Sequence, residues 1–298
     1  MAKRPSVTVF VINIAIRDRL KRTPEDYFKL LKMMHDARTA VSTDRKETEL
    51  FFGWLDEELE ENGAFARGLI DRAIDVQNRQ WYNEIRREPA TDEEVSSIRI
   101  PDGLKANHRE FTFLFDLNRH YMFVDNTSRG TRLSPSNAAK LFETLANIPR
   151  IRKMFGLITV SVVKSKSGLD QILDATFVKS LSMTIQQDNG DLVASELRDA
   201  VLEQMEQAKA QQAQLTFQAP SRSGLRITKE MRDVAELAAD TGDVSAKIVI
   251  DGYTKERNLS KYPVEATEQY DPRNEERYDG MIRAVRSALK LVRRRKRR

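Results

Sequence analysis

Glu110-Phe111-Thr112-Phe113-Leu114-Phe115-Asp116-Leu117-Asn118-Arg119-His120-Tyr121-Met122-Phe123-Val124-Asp125 is the stretch whose reading decides the fold. Phenylalanine recurs at every second position from 111 to 115, the two-residue period of a strand with one face buried. Leu117-Asn118-Arg119 breaks the pattern, and Tyr121, Phe123 and Asp125 resume it. Two alternating runs around a short break predict an antiparallel hairpin, with the aromatic positions pairing across the strands as a core. The chain is therefore built on antiparallel sheet rather than on helices alone.

Upstream, Val7-Thr8-Val9-Phe10-Val11-Ile12-Asn13-Ile14-Ala15-Ile16 is almost continuously apolar and β-branched, which predicts a central strand over residues 6–16. It is too short for a membrane span, and its β-branched composition, Asn13 and run into Arg17-Asp18-Arg19 without a small-residue cleavage site speak against a signal peptide. Thr23-Pro24-Glu25-Asp26 reads as a helix start, with an N-cap hydroxyl, proline at the first helical position and acids in the first turn. That helix is expected to run to about Arg38, with Tyr27, Leu30, Leu31 and Met34 inward. Glu49–Leu59 and Ala64–Ile74 flank Glu61-Asn62-Gly63, and Asn-Gly predicts a further hairpin.

Downstream, Ser134-Pro135 opens a helix ending near Ile148-Pro149. A strand at Leu157–Val163, a loop at Lys164–Gly168, a short helix at Leu169–Leu173 and a strand at Phe177–Ile185 follow. A Gln-rich helix is expected from about Leu192 to Gln214, then a joint at Pro220–Gly224 and a helix at about Lys229–Ala239. Strands near Lys247–Tyr253 and Tyr262–Thr267 precede a final helix from about Asn274. The expected class is α+β: two domains with mixed or antiparallel sheets flanked by helices. Residues 1–155 form the first domain and 156–298 the second, which ends in a basic amphipathic helix and an Arg-rich tail.

Charge is concentrated at that end. The chain carries 50 Lys and Arg against 45 Asp and Glu; residues 281–298 hold nine of the cations and no acid, leaving 41 against 45 in the rest. At about 100° per residue, Tyr278, Ile282, Val285, Leu289 and Val292 share one helix face. Arg283, Arg286, Lys290, Arg293, Arg294 and Arg297 lie on an adjoining face, roughly 100° away. With Arg295, Lys296 and Arg298 they make a candidate contact surface for phosphates. Crowded cations repel one another and stabilise nothing inside a fold, which favours a polyanion over a merely solubilising terminus. The helix lacks a Trp or Phe anchor after Tyr278, so nucleic acid is favoured over an anionic membrane. Lys164, Lys166, Arg222 and Arg226 are possible extensions of the surface. Trp54, Trp81 and Tyr82 with Arg79, Arg86 and Arg87 are a possible stacking platform, set against the commoner role of aromatics at a core edge.

Signals for catalysis are weak. The chain has no cysteine, which removes thiolate nucleophiles, disulfides and Cys-based metal sites. No phosphate-binding glycine loop, dinucleotide fingerprint or nucleophile elbow occurs. His35, His108 and His120 lack helical metal-ligand spacing, and His108 and His120 are expected at opposite ends of one strand. Asp251-Gly252-Tyr253-Thr254-Lys255-Glu256 has a nuclease-like composition without the acid-x-lysine spacing, and reads better as a turn. No catalytic residue, metal or cofactor is assigned, and an enzyme is the less favoured reading.

The layout resembles the RexA-like phage-exclusion family. The likeness is carried by the strand Val7–Ile16, the hairpin Phe111-Thr112-Phe113-Leu114-Phe115…His120-Tyr121-Met122-Phe123 and Leu133-Ser134-Pro135 before a helix. It continues through Lys179-Ser180-Leu181-Ser182-Met183-Thr184-Ile185, Asp188-Asn189-Gly190-Asp191 and a long helix. The resemblance implies a two-domain α+β, DNA-binding homodimer in abortive infection or anti-phage defence, and transfers no catalytic residue. The expectation is a cytoplasmic, sequence-independent DNA-binding protein acting as a sensor or regulator. A metal-dependent nuclease or toxin, and an adaptor docking a membrane or membrane-bound partner through the tail, are the alternatives.

Overall fold

Threonine 23 caps the first helix by accepting a hydrogen bond from the Asp26 amide, while the Asp26 carboxylate accepts one from the Thr23 amide. Such local signals place most elements of the computed structural model. It describes residues 4–17, 23–43, 48–56, 65–76, 80–186, 196–210, 212–220 and 223–296. In chain order the first elements are β1 (Ser6–Ile16), α1 (Pro24–Asp36), β2 (Val41–Ser42), β3 (Thr48–Leu55) and β4 (Phe65–Ile74). Next come β5 (Tyr82–Asn83), β6 (Glu88–Pro89), α2 (Asp92–Ser97), β7 (Ala106–Asp116), β8 (Tyr121–Asp125), β9 (Thr127–Ser128) and β10 (Thr131–Arg132). Then α3 (Pro135–Ala146), α4 (Pro149–Phe155), β11 (Ile158–Val162), α5 (Lys166–Leu173), β12 (Val178–Gln186) and α6 (Glu196–Gln207) follow. The chain closes with β13 (Gln212–Gln218), α7 (Lys229–Thr241), β14 (Asp243–Ile250), β15 (Tyr253–Asn258), β16 (Glu265–Gln269) and α8 (Arg277–Lys296). The fold is α+β.

The chain divides into two compact units, one of residues 14–160 and the other of residues 1–13 together with 161–298. Along the chain one crossing between the units falls at 160–161. The first thirteen residues, however, belong with the C-terminal part.

In the unit of residues 14–160 the strands lie in the order β8-β7-β4-β3-β2. Phe111, Phe113 and Phe115 are fully buried. Phe113 meets Phe52 and Phe142 at ring separations of 5.4 and 5.9 Å in edge-on geometry. Helices α1 and α3 supply Leu30, Leu31, Met34, Leu141, Phe142 and Leu145 to the buried set. The hairpin register differs from the sequence expectation. Phe113 faces Val124, Phe115 faces Met122, and Phe123 stands opposite Leu114. The four-residue turn Leu117–His120 shifts the return strand by one position, so aromatic rows do not pair. Both faces of the hairpin are nonetheless buried, so the shift exposes no aromatic ring. Asp116 holds the turn by accepting from the Asn118 and Arg119 amides and from Arg119 Nη1 at 2.7 Å. His120 stacks on Tyr27 at 3.9 Å.

In the other unit, β13-β12-β14-β15 form an antiparallel sheet. Leu181, Met183 and Ile185 of β12 and Val244, Ala246 and Ile248 of β14 cluster with α5, Met205 of α6, and Val234, Leu237 and Ala238 of α7. Asp251 and Gly252, both at positive φ (53° and 80°), form the two-residue turn between β14 and β15. That is the turn reading of Asp251-Gly252. The expected Leu192–Gln214 helix ends instead at Gln207, and Gln212–Gln218 is a strand. Ala213, Leu215 and Phe217 alternate with glutamine and threonine there, a period-two signal masked by helix-compatible glutamines. Helix α4 begins where the sequence pattern predicts a helix end: Pro149 sits in its first turn. The Glu61-Asn62-Gly63 turn lies outside the described residues, while the flanking β3 and β4 pair antiparallel as expected.

The buried ring cluster makes a measurable claim. Phe113→Ala is expected to lower unfolding free energy by about 3–5 kcal/mol, through lost transfer energy and an unfilled cavity. Leu104→Ala, at a site 59% exposed, is expected to change it by no more than about 0.5 kcal/mol. Urea denaturation of the two variants checks both.

Candidate nucleic-acid interface

A tight turn delivers the chain to α8: Asp271 accepts from the Arg273 amide through its side chain and from the Asn274 amide through its carbonyl. The Asp279 carboxylate then accepts from the Glu276 amide at 2.9 Å. Helix α8 packs on β16, and β16 pairs with the first half of β1 from Ser6↔Gln269 to Phe10↔Glu265. Gly280 allows this approach, because a Cβ there would stand 3.2 Å from Tyr270 Cβ and 3.4 Å from a Val7 methyl. The buried positions are Gly280, Met281, Ala284, Val285, Ala288 and Val292.

This buried face differs from the expected one. Val285 and Val292 are on it, but Tyr278, Ile282 and Leu289 are only half-buried, and two alanines and a methionine take the central line. The docked face is rotated by roughly 60° from the expected stripe. The rotation matters for charge. Instead of adjoining the docked face, the positions of Arg283, Arg286 and Lys290 stand nearly opposite it, at roughly 180°.

Each candidate cation can then be placed. Arg283 is tied inward: it donates to both Glu275 carboxylate oxygens at 2.8 and 3.2 Å and to the Gln269 carbonyl at 2.9 Å. Hydrogen bonding to Arg283, and then the Asp271 amide, hold the Glu275 carboxyl below the usual carboxylate range. The same bond to Glu275 raises Arg283. Arg283 is therefore a staple between the helix and the strand before it, not an open phosphate contact. Arg286 and Lys290 are exposed. Arg293, Arg294, Arg295 and Lys296 continue the helix, and Arg297 and Arg298 lie outside the described residues.

The suggested extensions fare unevenly. Lys164 is buried and its ammonium donates to the Gly242 carbonyl. Lys166 lies 3.6 Å from Glu236. Arg226 is exposed, and Arg222 lies outside the described residues. Of the possible stacking platform, Trp54 is partly exposed under the Arg67 guanidinium at 5.9 Å, and Tyr82 is exposed. Arg86 is engaged by Glu88 at 2.6 Å and Glu94 at 2.7 Å, and Arg79 lies outside the described residues.

A surface not singled out from sequence lies on β13-β12-β14-β15. Ser182, Gln214, Thr216, Lys179, Lys247 and Glu256 line a concavity of about 520 Å³. Lys179 Nζ donates to Thr254 Oγ1 at 2.7 Å, and Gln214 to Ser182 Oγ at 2.9 Å. Hydroxyls, amides and two ammoniums make this face suited to hydrogen-bonding a polar ligand. It was illegible because it depends on β13, which the glutamine run concealed.

A family profile for a domain of unknown function, DUF4747, matches residues 6–287. The chain belongs to the DUF4747 family. The match takes in both compact units and α8 as far as Arg286 and Ser287; Lys290 and the cations after it lie beyond the matched span. Comparison with curated proteins returns no match. Among the described residues no helix is long and apolar enough to cross a membrane.

The Arg283–Glu275 staple has a pH signature. Because the folded-state pKa of Glu275 is depressed, its contribution is present at neutral pH and is lost as pH falls through the depressed value. Glu275→Gln is expected to speed amide exchange in α8 at neutral pH. The difference from the parent should vanish in acid below the carboxylate range, as read by hydrogen–deuterium exchange.

Proposed function

We propose that the chain binds nucleic acid, DNA foremost, through phosphate contacts made by the basic face of α8 and its C-terminal continuation. The observation that carries this reading is the exposure of Arg286 and Lys290 on the side of the helix opposite the docked face. Met281, Ala284, Val285, Ala288 and Val292 hold the helix down, while Arg286 and Lys290 are exposed. A helix fixed along one side and cationic along the other presents its charges as a row rather than as a freely fluctuating tail. Such a row releases counterions from a phosphate backbone without reading bases, so binding is sequence-independent and strongly salt-dependent. Excess negative charge in the first 280 residues, 45 acids against 41 bases, confines that attraction to the basic end. A role as a dimeric sensor or regulator in anti-phage defence accompanies this proposal and is supported only by the resemblance of layout to the RexA-like family.

The test is a salt titration of duplex DNA and RNA binding. Replacing Arg286 and Lys290 by Gln is expected to reduce the slope of log affinity against log salt by about 0.9 for each lost phosphate contact on duplex DNA. Replacing the six cations at 293–298 by Gln, with Val292 kept, should reduce it further. Equal affinities and slopes for parent and variants would remove α8 as the interface. Binding of the parent to anionic vesicles without affinity for either nucleic acid would move the assignment to a membrane surface.

A further inference from the structure

Three side chains on one face of the β4–β7 pair bring a histidine and two carboxylates together, outside the surface assigned to nucleic acid. Asp71 on β4 is directly opposite Glu110 on β7. His108 precedes Glu110 by two residues and therefore shares its face. One ligand atom from each of Asp71, His108 and Glu110 lies within 4.8 Å of the others. Side-chain rotations can close that spread to the roughly 3–3.5 Å that separates ligands held 2.0–2.2 Å from one ion.

The local backbone is shaped for this arrangement. Between Ala106 and Arg109, β7 carries an extra residue relative to β4, and Asn107 there has a positive φ of 56°. That bulge adjoins His108, while the Asp71↔Glu110 pairing lies in the regular part of the ladder. Strand β3 carries its own irregularity between Phe52 and Trp54, at Gly53. A Cβ on Gly53 would overlap Asp71 Oδ2 at 1.8 Å, so the glycine is what leaves room for the carboxylate. Two departures from regular strand therefore flank Asp71, the kind of feature that re-aims side chains beside functional sites.

A cation between the three groups would fit their polar surroundings. Asp71 Oδ1 is shielded from solvent and has His108 Nε2 beside it at 3.1 Å. That separation is that of an ion pair with a protonated imidazole, and it equally suits two neighbouring ligands of one ion. Carboxylates directly opposite each other on neighbouring strands also repel. Lys105 is committed elsewhere: it lies 2.5 Å from Glu49, whose hydrogen bond is the main cause of its raised pKa. His108 is about half exposed, so water can complete a coordination shell.

We propose that Asp71, His108 and Glu110 bind a divalent cation of the manganese or zinc type, which one imidazole and two carboxylates suit. Helical spacings such as H-x-x-x-H are absent from the chain, and the strand spacing His108-Arg109-Glu110 has meaning only with Asp71 beside it. The cation site is independent of the nucleic-acid reading, and its test uses no nucleic acid. Full-length, metal-stripped protein is titrated with Mn2+ alone, following free Mn2+ by electron paramagnetic resonance and the melting temperature in parallel. One ion per chain and a raised melting temperature are expected. Asp71→Asn, His108→Gln and Glu110→Gln should each weaken binding by at least about tenfold. Asp71→Asn should melt no lower than the parent without metal, because it removes one of two repelling charges. Absence of binding at millimolar Mn2+, or affinity unchanged in all three variants, would overturn the assignment.

Discussion

Strand β1 buries both of its faces, and the rest of the architecture depends on that constraint. Val7, Val9, Phe10, Val11, Ile12, Ile14 and Ile16 are all at most 1% exposed. Each large aliphatic side chain so buried contributes about 1.5–3 kcal/mol relative to exposure. A strand of this kind has no tolerable solvent face, so other elements must cover it. Residues 6–13 do this work in one compact unit and residues 14–16 in the other. In the first, β16 pairs alongside and α8 packs on β16, with Thr8 and Thr267 hydroxyls 2.8 Å apart. In the second, Ile14 donates its amide to the His120 carbonyl and Ile16 donates to the Tyr27 hydroxyl, both at 3.0 Å. The orientation of α8, and with it the direction of the basic row, is inherited from the need to bury β1.

Legibility in the sequence followed the strength of local physics. Thr23-Pro24 and Ser134-Pro135 start helices because a hydroxyl and a proline solve the same end-of-helix problem wherever they occur. The β-branched run at 6–16 has one plausible conformation, and β1 has those bounds. Gln212–Gln218 reads as helix because glutamine is comfortable in one, and only pairing with β12 makes its alternation decisive. The hairpin register failed for a related reason. A turn residue such as His120 at a φ of 64° changes which side chains face each other, and residue type alone does not disclose it. On α8 the large apolar residues drew attention from Ala284 and Ala288, yet small residues are what a close helix–strand contact selects.

The same distinction separates the two proposed surfaces. A basic row is visible as composition, although Arg283 shows that a cation in the row can belong to the fold. The cluster of Asp71, His108 and Glu110 is invisible as composition, since Asp71 and Glu110 are 39 positions apart and meet only through strand register. Contact surfaces for polyanions are summed fields and tolerate imprecise placement. Coordination spheres require atoms at set distances, which only tertiary structure supplies.

The pairing of the first strand with the last one also orders events during synthesis. Thr8 leaves the ribosome 259 residues ahead of Thr267. At about 5–20 residues per second, that interval is roughly 13–50 s. Residues 14–160 are complete well before it ends, whereas residues 6–10 must wait for β16, and residues 281–292 must still follow to cover that strand. Throughout the wait an apolar, β-branched edge is open to pairing with other chains. A nascent chain of this protein is thus most prone to aggregate at its oldest residues, and a message truncated before codon 265 leaves that edge permanently without its partner.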